Sequence, residues 1–436
     1  MEFKVNVIGC GLAGAEATYQ LSKRGIGVNV YEMKPLKFSP AHSSANFAEI
    51  VCSNSLKSED LKTASGCLKA EMDVFGSLIL DTAREVKVPA GTALAVDRDK
   101  FSELVTKKIE SLKNVKIFRE EVTKIDLSLP TIIATGPLTS DALSSEICKL
   151  IGSENLHFFD ASAPIIDGDS LIKEKTFTAG RYGKGESDYI NCPMNKEEYY
   201  AFVKELVNAE RVELHSFEKK EIFEGCMPVE VMASRGEDSL RFGPLRPVGL
   251  RLDDGTKPYA VVQLRKENNT SNLYNIVGFQ TNLKYGEQKR VFSMIPALAN
   301  ADFVKYGVMH RNSFICAPRH LNQDFSVRGF ENLYIAGQLS GVEGYVESTA
   351  SGMVAGIYLA NKLMGKSLDY IPKTTIIGAI SNYLVTADSE NFQPMNANFG
   401  ILPPLDNLIK DKSLRKLAYS ERAINDMKNF KEKFEC

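Results

Sequence analysis

One stretch near the start limits what this chain can fold into. Val5-Asn6-Val7-Ile8 is a short β-rich run that meets Gly9-Cys10-Gly11-Leu12-Ala13-Gly14, a GxGxxG pattern. Ala13 to Lys23 then reads as a helix closed by Gly25, and Val28-Asn29-Val30-Tyr31-Glu32 as a second strand ending in an acid. Strand, glycine turn, helix and terminal carboxylate together make a βαβ unit of the dinucleotide-binding kind. Gly9 permits the tight turn, Gly11 lets backbone approach a pyrophosphate, and Gly14 allows close helix packing, while the helix N-terminus stabilises the negative charge. Glu32 would accept hydrogen bonds from ribose hydroxyls. A carboxylate there, in place of Arg, favours an unphosphorylated ribose, as in FAD or NAD.

Two more buried strands end in glycine: Thr131-Ile132-Ile133-Ala134-Thr135-Gly136, and Leu333-Tyr334-Ile335-Ala336-Gly337 with a small-residue helix from about Gly352 to Met364 after it. Strands from both ends of the chain are therefore expected in one sheet. The middle is richer in Tyr, Arg, Lys and Pro and holds strand-like pieces such as Tyr259 to Leu264. The expected architecture is α/β: a Rossmann-like FAD-binding domain over residues 1–185 and 321–436, with an inserted α+β domain over 186–320 for substrate or RNA. Leu414, Leu417, Ile424, Met427 and Phe430 recur at helical spacing in the tail, as one amphipathic helix or two short ones.

FAD is preferred over NAD because the Gly136 strand end and the late Gly337 strand resemble flavoproteins whose C-terminal sequence holds the isoalloxazine. Gln338 stands where such folds usually place Asp. Several blocks then resemble the folate- and FAD-dependent tRNA (uracil-5-)-methyltransferase family. They include Cys52-Ser53-Asn54-Ser55-Leu56-Lys57, Ala93-Leu94-Ala95-Val96-Asp97-Arg98, Phe223-Glu224-Gly225-Cys226-Met227-Pro228, Leu240-Arg241-Phe242-Gly243-Pro244, Gly286-Glu287-Gln288-Lys289-Arg290, Gly307-Val308-Met309-His310-Arg311 and Gly341-Val342-Glu343-Gly344-Tyr345. The similarity keeps order over nearly the whole chain. Tyr285 stands where the family has Trp, and Cys316 where it has a polar residue.

The resemblance implies methylation of the T-loop uridine of tRNA at C5, with methylenetetrahydrofolate supplying carbon and NADH or NADPH supplying electrons. Carbon 5 of uracil is a poor nucleophile until a group adds at C6, and a thiolate can both add there and leave again. Cys226 matches the family cysteine that adds to uracil. Cys52 matches a second one, which either removes the C5 proton or forms a resting adduct with the flavin; both roles stay open. Gly344 and Tyr345, close in sequence to the flavin strand, are expected at the cofactor, where Tyr345 would approach the isoalloxazine or stack on the pteridine. His310 and Arg311 would line the folate site.

A formal net charge of -2 argues against a surface that attracts nucleic acid everywhere, so RNA contact must be local. Lys284, Lys289 and Arg290, with Arg235, Arg241, Arg246, Arg251 and Arg265, give the middle domain a basic side with aromatic neighbours. Eight cysteines without a CxxC pair indicate neither a metal site nor a disulfide framework. No apolar run is long enough to span a membrane and the N-terminal run is too brief for a signal sequence, which points to the cytoplasm, with no membrane or stable protein partner. Two other readings remain at this point: the same chemistry on a ribosomal RNA uridine, and a non-catalytic flavin- and RNA-binding protein.

Overall fold

The computed structural model describes residues 3–152, 156–180, 189–212, 227–252, 254–267, 272–367 and 369–435. Five strands form one parallel sheet in the spatial order Leu333–Ile335, Thr131–Ile133, Lys4–Ile8, Gly27–Tyr31, Val115–Phe118. The order reverses beside the first strand, where an open α/β sheet leaves a crevice outside its carboxyl ends. Val5, Val7, Val30, Ile132 and Ile335 are fully buried, as strands covered on both faces require. Asn6 and Asn29 interrupt that apolar pattern as register partners, with Asn29 Nδ2 donating to Asn6 Oδ1 at 3.1 Å.

The helix Leu12–Lys23 lies directly on the helix Tyr345–Leu363. A β-carbon on Gly352 would stand 2.1 Å from the Ala13 carbonyl oxygen, and one on Gly356 2.9 Å from that of Ala17. Only hydrogen at those positions lets the backbones touch. This helix begins at Tyr345, well ahead of the Gly352 start expected from small-residue content. Its first turns hold Ser and Thr, weak helix formers, yet all are buried, and Thr349 and Ser351 return their hydroxyls to the carbonyls of Tyr345 and Ser348.

A second sheet has six antiparallel strands in the order Phe177–Thr178, Tyr189–Met194, Ala260–Lys266, Leu273–Ile276, Ile165–Asp167, Phe303–Lys305. Its core is separate, built on Phe202, Leu264, Phe279 and Phe292. The sheet starts at Ile165, ahead of residue 186, because the three-residue strand Ile165–Asp167 is too short to show a period. Leu156–Ala161 and Met309–Phe314 pair with each other where the chain passes between the two sheets. A small third sheet of Ser55–Ser58, Ala93–Val96 and Lys87–Val88 begins just after Cys52.

The tail is one helix, Lys412–Glu435, with Ala423, Met427 and Phe430 buried and Phe430 edge-on to Phe75 of the helix Ala64–Phe75 at 6.3 Å. Leu414 lies outside that contact and is exposed. Among the described residues no helix is long and apolar enough to cross a membrane.

Two buried carboxyls join helices. Glu16 accepts from Gln20 Nε2 at 2.8 Å, Ser77 Oγ at 2.8 Å and the Ile79 amide at 3.2 Å. Glu71 receives the Ile376 and Ile377 amides at 2.7 and 2.9 Å, capping the helix Ile376–Thr386. Burial raises both from about 4.5 to about 7, against the pull of those donors. The folded chain therefore binds these protons more tightly than the unfolded chain. Stability should fall as pH rises from about 4.5 to 7 and level off above, by up to about 3 kcal/mol per group. Urea midpoints at pH 5, 6, 7 and 8 would show that slope, and Glu16→Gln should remove its share whatever its offset at pH 5.

Candidate active site

A cleft enclosing about 1300 Å³, part of it open to solvent, lies at the carboxyl ends of the parallel strands. Gly9, Gly11, Leu12, Ala13, Glu32, Gly136, Gly337 and Tyr345 all line it. Cys10, Gly14 and Gly344, singled out with them in the sequence, do not line it; Cys10 and Gly14 are buried and Gly344 is half-buried. Gly9 turns with φ +87°, and a β-carbon on Gly14 would lie 1.9 Å from its carbonyl oxygen. Gly14 thus closes the turn from the rear. A β-carbon on Gly11 would meet nothing within 4 Å, so that backbone faces open space at the start of the helix. Glu32 is buried; one carboxylate oxygen accepts the Cys10 amide at 3.0 Å and the other the Lys34 amide at 3.1 Å. An open glycine backbone, a helix N-terminus and a fixed carboxylate fit the pyrophosphate and ribose of a dinucleotide such as FAD.

Beyond Glu32 a polar cluster continues the wall. Lys34, buried, donates to the Asn46 carbonyl at 2.6 Å and meets Glu49 at 3.5 Å. Against the cost of burial, the Ser43 and Ser44 amides hold the Glu49 carboxyl below its ordinary value. Burial and then the Lys34 ammonium push His42 down, leaving a neutral imidazole whose Nδ1 meets Ser39 Oγ at 2.5 Å. The sequence pattern alone carried no sign of this cluster.

Cys52 sits in the wall on a turn fastened from three sides. The Tyr345 hydroxyl lies 2.8 Å from Cys52 Sγ and accepts the amides of Val51, Cys52 and Ser53 at 3.1, 3.0 and 3.4 Å. Burial first, then Cys52, push the Tyr345 hydroxyl well above its ordinary value, so it keeps its proton. With amides filling its oxygen, that proton is directed at sulfur. Arg98 donates to the carbonyls of Ile50 and Val51 at 3.1 and 2.8 Å and is itself oriented by Glu267 at 2.6 Å. Arg265 reaches Ser53 Oγ at 2.9 Å and Asn54 Oδ1 at 2.8 Å, while the Asn54 amide bonds the carbonyls of Val96, Lys266 and Glu267. Three consecutive residues at the end of the strand Ala260–Lys266, 265–267, thereby grip the cysteine turn.

Arg265, grouped in the sequence with a basic RNA face, is buried in this joint instead. Asn54, Arg98 and Glu267 escaped functional assignment; the signal available was an Asp-Arg pair directly after the apolar strand Ala93–Val96. Cys226 lies outside the described residues. Of the six described cysteines Cys52 alone lines the cleft. Burial pushes the Cys10, Cys67 and Cys192 thiols up, the last to about 12, which leaves them inert. Lys284 and Arg290 are exposed and ion-paired, the first with Glu210 at 2.7 Å and the second with Glu205 and Glu287 at 2.6 and 2.8 Å; Lys289 is exposed on the same short helix, Tyr285–Phe292.

The sheet order, glycine turn and cleft define a dinucleotide-binding flavoprotein fold. The family model described as "Glucose inhibited division protein A" matches residues 4–367. The fold is similar to Aquifex aeolicus GidA in two crystal forms, with TM-scores of 0.72 and 0.68 at 17% and 16% identity, covering 100% of this chain and 76% of those. The Lactobacillus johnsonii protein "Methylenetetrahydrofolate--tRNA-(uracil-5-)-methyltransferase TrmFO" is 55% identical over 98% of both chains. The Natranaerobius thermophilus protein of the same name is 54% identical over 99% of both. The chain belongs to the TrmFO family of GidA-like flavoproteins.

Asn54 is fully buried in the joint and its side chain has four bonds to lose. Asn54→Ala should cost about 2 to 4 kcal/mol by urea unfolding, because it takes the partner of the buried Arg265 Nε and one donor from each of three carbonyls. A loss under 0.5 kcal/mol would mean the joint is not a structural tie.

Proposed function

We propose that this chain is a methylenetetrahydrofolate--tRNA-(uracil-5-)-methyltransferase that forms 5-methyluridine in the T loop of tRNA, with NADH or NADPH as electron donor. What carries the reading is a dinucleotide cleft with Cys52 fixed in its wall, in a chain over half identical to proteins of that name. Such a reaction belongs in the cytoplasm. The inserted unit, taken here as the second sheet with its helices, carries the RNA-facing residues Lys284, Lys289 and Arg290.

In this reading Gly9, Gly11 and the first turn of Leu12–Lys23 bind the FAD pyrophosphate, and Glu32 takes the ribose hydroxyls. Gly136, Gly337 and Tyr345 border the isoalloxazine end. When bound, FAD supplies the relay that passes the folate carbon to uracil and the hydride that completes a methyl group. The Cys226 thiolate adds to uracil C6, and the C5–C6 π electrons move into an enolate. Carbon 5 then takes the carbon and gives up its proton. The C6–S bond breaks by elimination, restoring the ring and the thiolate. Tyr345 aims Cys52 at this space for proton removal or for closing the resting site.

Gly11 gives a sharp test of the cofactor placement, since a side chain there has room in the protein and none beside a pyrophosphate. Gly11→Val should fold with the urea midpoint of FAD-stripped wild type yet purify colourless; a yellow preparation would contradict the placement. Incubating purified protein with unmodified tRNA or ribosomal RNA fragments, methylenetetrahydrofolate and NADH or NADPH, then digesting the RNA for mass spectrometry, tests the reaction. Expected is 5-methyluridine in tRNA, lost at least 1000-fold in Cys226→Ala with FAD retained. Product confined to ribosomal RNA would move the target, and no product from either RNA would sink the enzymatic reading.

A further inference from the structure

The second sheet ends in a column of rings that grows outward from its core. Phe292 is fully buried, and Phe303 leans on it with centroids 6.4 Å apart. Tyr306 stacks on Phe303 at 5.5 Å and 2° from parallel, and Tyr285 stacks on Tyr306 at 4.9 Å and 17°. Tyr285, the outer ring, is 56% exposed. The column is braced from below. Buried Gln288 donates to the carbonyls of Leu283 and Gly307 at 2.8 Å each and accepts the Gly307 amide at 2.8 Å, tying the segment of Tyr285 to that of Tyr306.

A solvent-facing tyrosine fixed flat at the end of a rigid stack costs apolar exposure, and no further ring among the described residues covers it. Its surroundings are cationic in part: Lys284 precedes it, Lys289 lies one helical turn on, and Lys305 adjoins Tyr306. Burial lowers the Lys305 ammonium from its ordinary value, and Arg98 adds to that fall.

We propose that Tyr285 is a base-stacking platform on which an unpaired nucleobase of the tRNA continues the Phe303–Tyr306–Tyr285 column, with Lys289 and Lys305 facing its phosphates. This rests on the reading that tRNA is the substrate. An aromatic plane accepts any base face and adds about 1 to 3 kcal/mol per base. A pre-stacked ring loses no rotamer freedom on binding, so more of that energy survives as affinity.

The chain contains no tryptophan, so Tyr285→Trp introduces a single fluorescent reporter at the platform itself. Unmodified tRNA should quench its emission by at least half, and methylenetetrahydrofolate alone should leave it unchanged. In steady state, Tyr285→Ala should raise KM for tRNA about 5- to 150-fold. Its FAD content, kcat and KM for methylenetetrahydrofolate should stay within twofold, and Tyr285→Phe and Tyr285→Trp should restore KM. Quenching by the folate, or an effect confined to folate KM, would assign the ring to the folate site and overturn the proposal. Normal tRNA KM in Tyr285→Ala would overturn it too. Wild-type protein that methylates no tRNA would instead fault the functional reading, and the quenching titration would still decide whether RNA stacks there.

Discussion

The Arg98–Glu267 ion pair, with the Asn54 and Arg265 bonds beside it, joins the sheet that builds the cleft to the sheet that faces outward. Among the described residues the second sheet lines none of the cleft, yet it fastens the cysteine turn in the cleft wall. Removing a guanidinium and a carboxylate from water costs several kcal/mol per ion, so such a pair is weak as a source of stability. What it supplies is direction. A forked guanidinium whose Nε is claimed by Glu267 can present Nη1 to the carbonyls of Ile50 and Val51 in only one orientation. The peptide planes ahead of Cys52 are thereby fixed, and the amides of Val51, Cys52 and Ser53 turn to the other side, where the Tyr345 oxygen receives them.

Tyr345 reaches that point because of a contact two turns further along its own helix. Gly352 lies against the Ala13 carbonyl, which sets the axis of Tyr345–Leu363 directly on that of Leu12–Lys23. About 10 Å of helix then separates this contact from Tyr345. The glycine that lets two backbones touch and the hydroxyl that steers a thiol are thus parts of one rigid element. The same packing brings both helix N-termini, with their unpaired amides, to the one crevice where the strand order reverses. Binding of phosphate and positioning of sulfur follow from a single arrangement of helices.

The cleft was legible in the sequence where chemistry is local. Gly9, Gly11, Gly14 and Glu32 lie within one βαβ unit, and their roles follow from the turn and the strand end that they occupy. The fifth strand of the parallel sheet was legible as well, since Leu333-Tyr334-Ile335 is apolar enough to need burial on both faces. The joint was not. Arg265 sits 211 residues from Asn54, and a charged residue at the end of a strand reads as solvated surface until its partner is known. The three-residue strand Ile165–Asp167 was missed for lack of length, and the Tyr345 end of its helix because Ser and Thr suppress the local signal that tertiary burial overrides. The proposal that two distant cysteines share one reaction rests on the family resemblance alone, because periodicity carries no signal for it.

Charge on the outer domain is arranged economically for a chain whose formal net charge is -2. Lys284 and Arg290 are each matched by glutamate, and exposed pairs of this kind contribute only about 0 to 1 kcal/mol. Exchanging such a carboxylate for a phosphate therefore costs little, while in the free protein the pairs mute the long-range field that would draw in any nucleic acid. Affinity that does not come from a positive surface must come from shape and from base contact. A rigid aromatic plane beside muted cations favours a loop with an unstacked base over a duplex, whose bases are already stacked, and in tRNA such bases occur in the loops. Selection of substrate and access to uracil C5 then have the same requirement, a nucleotide already out of its helix.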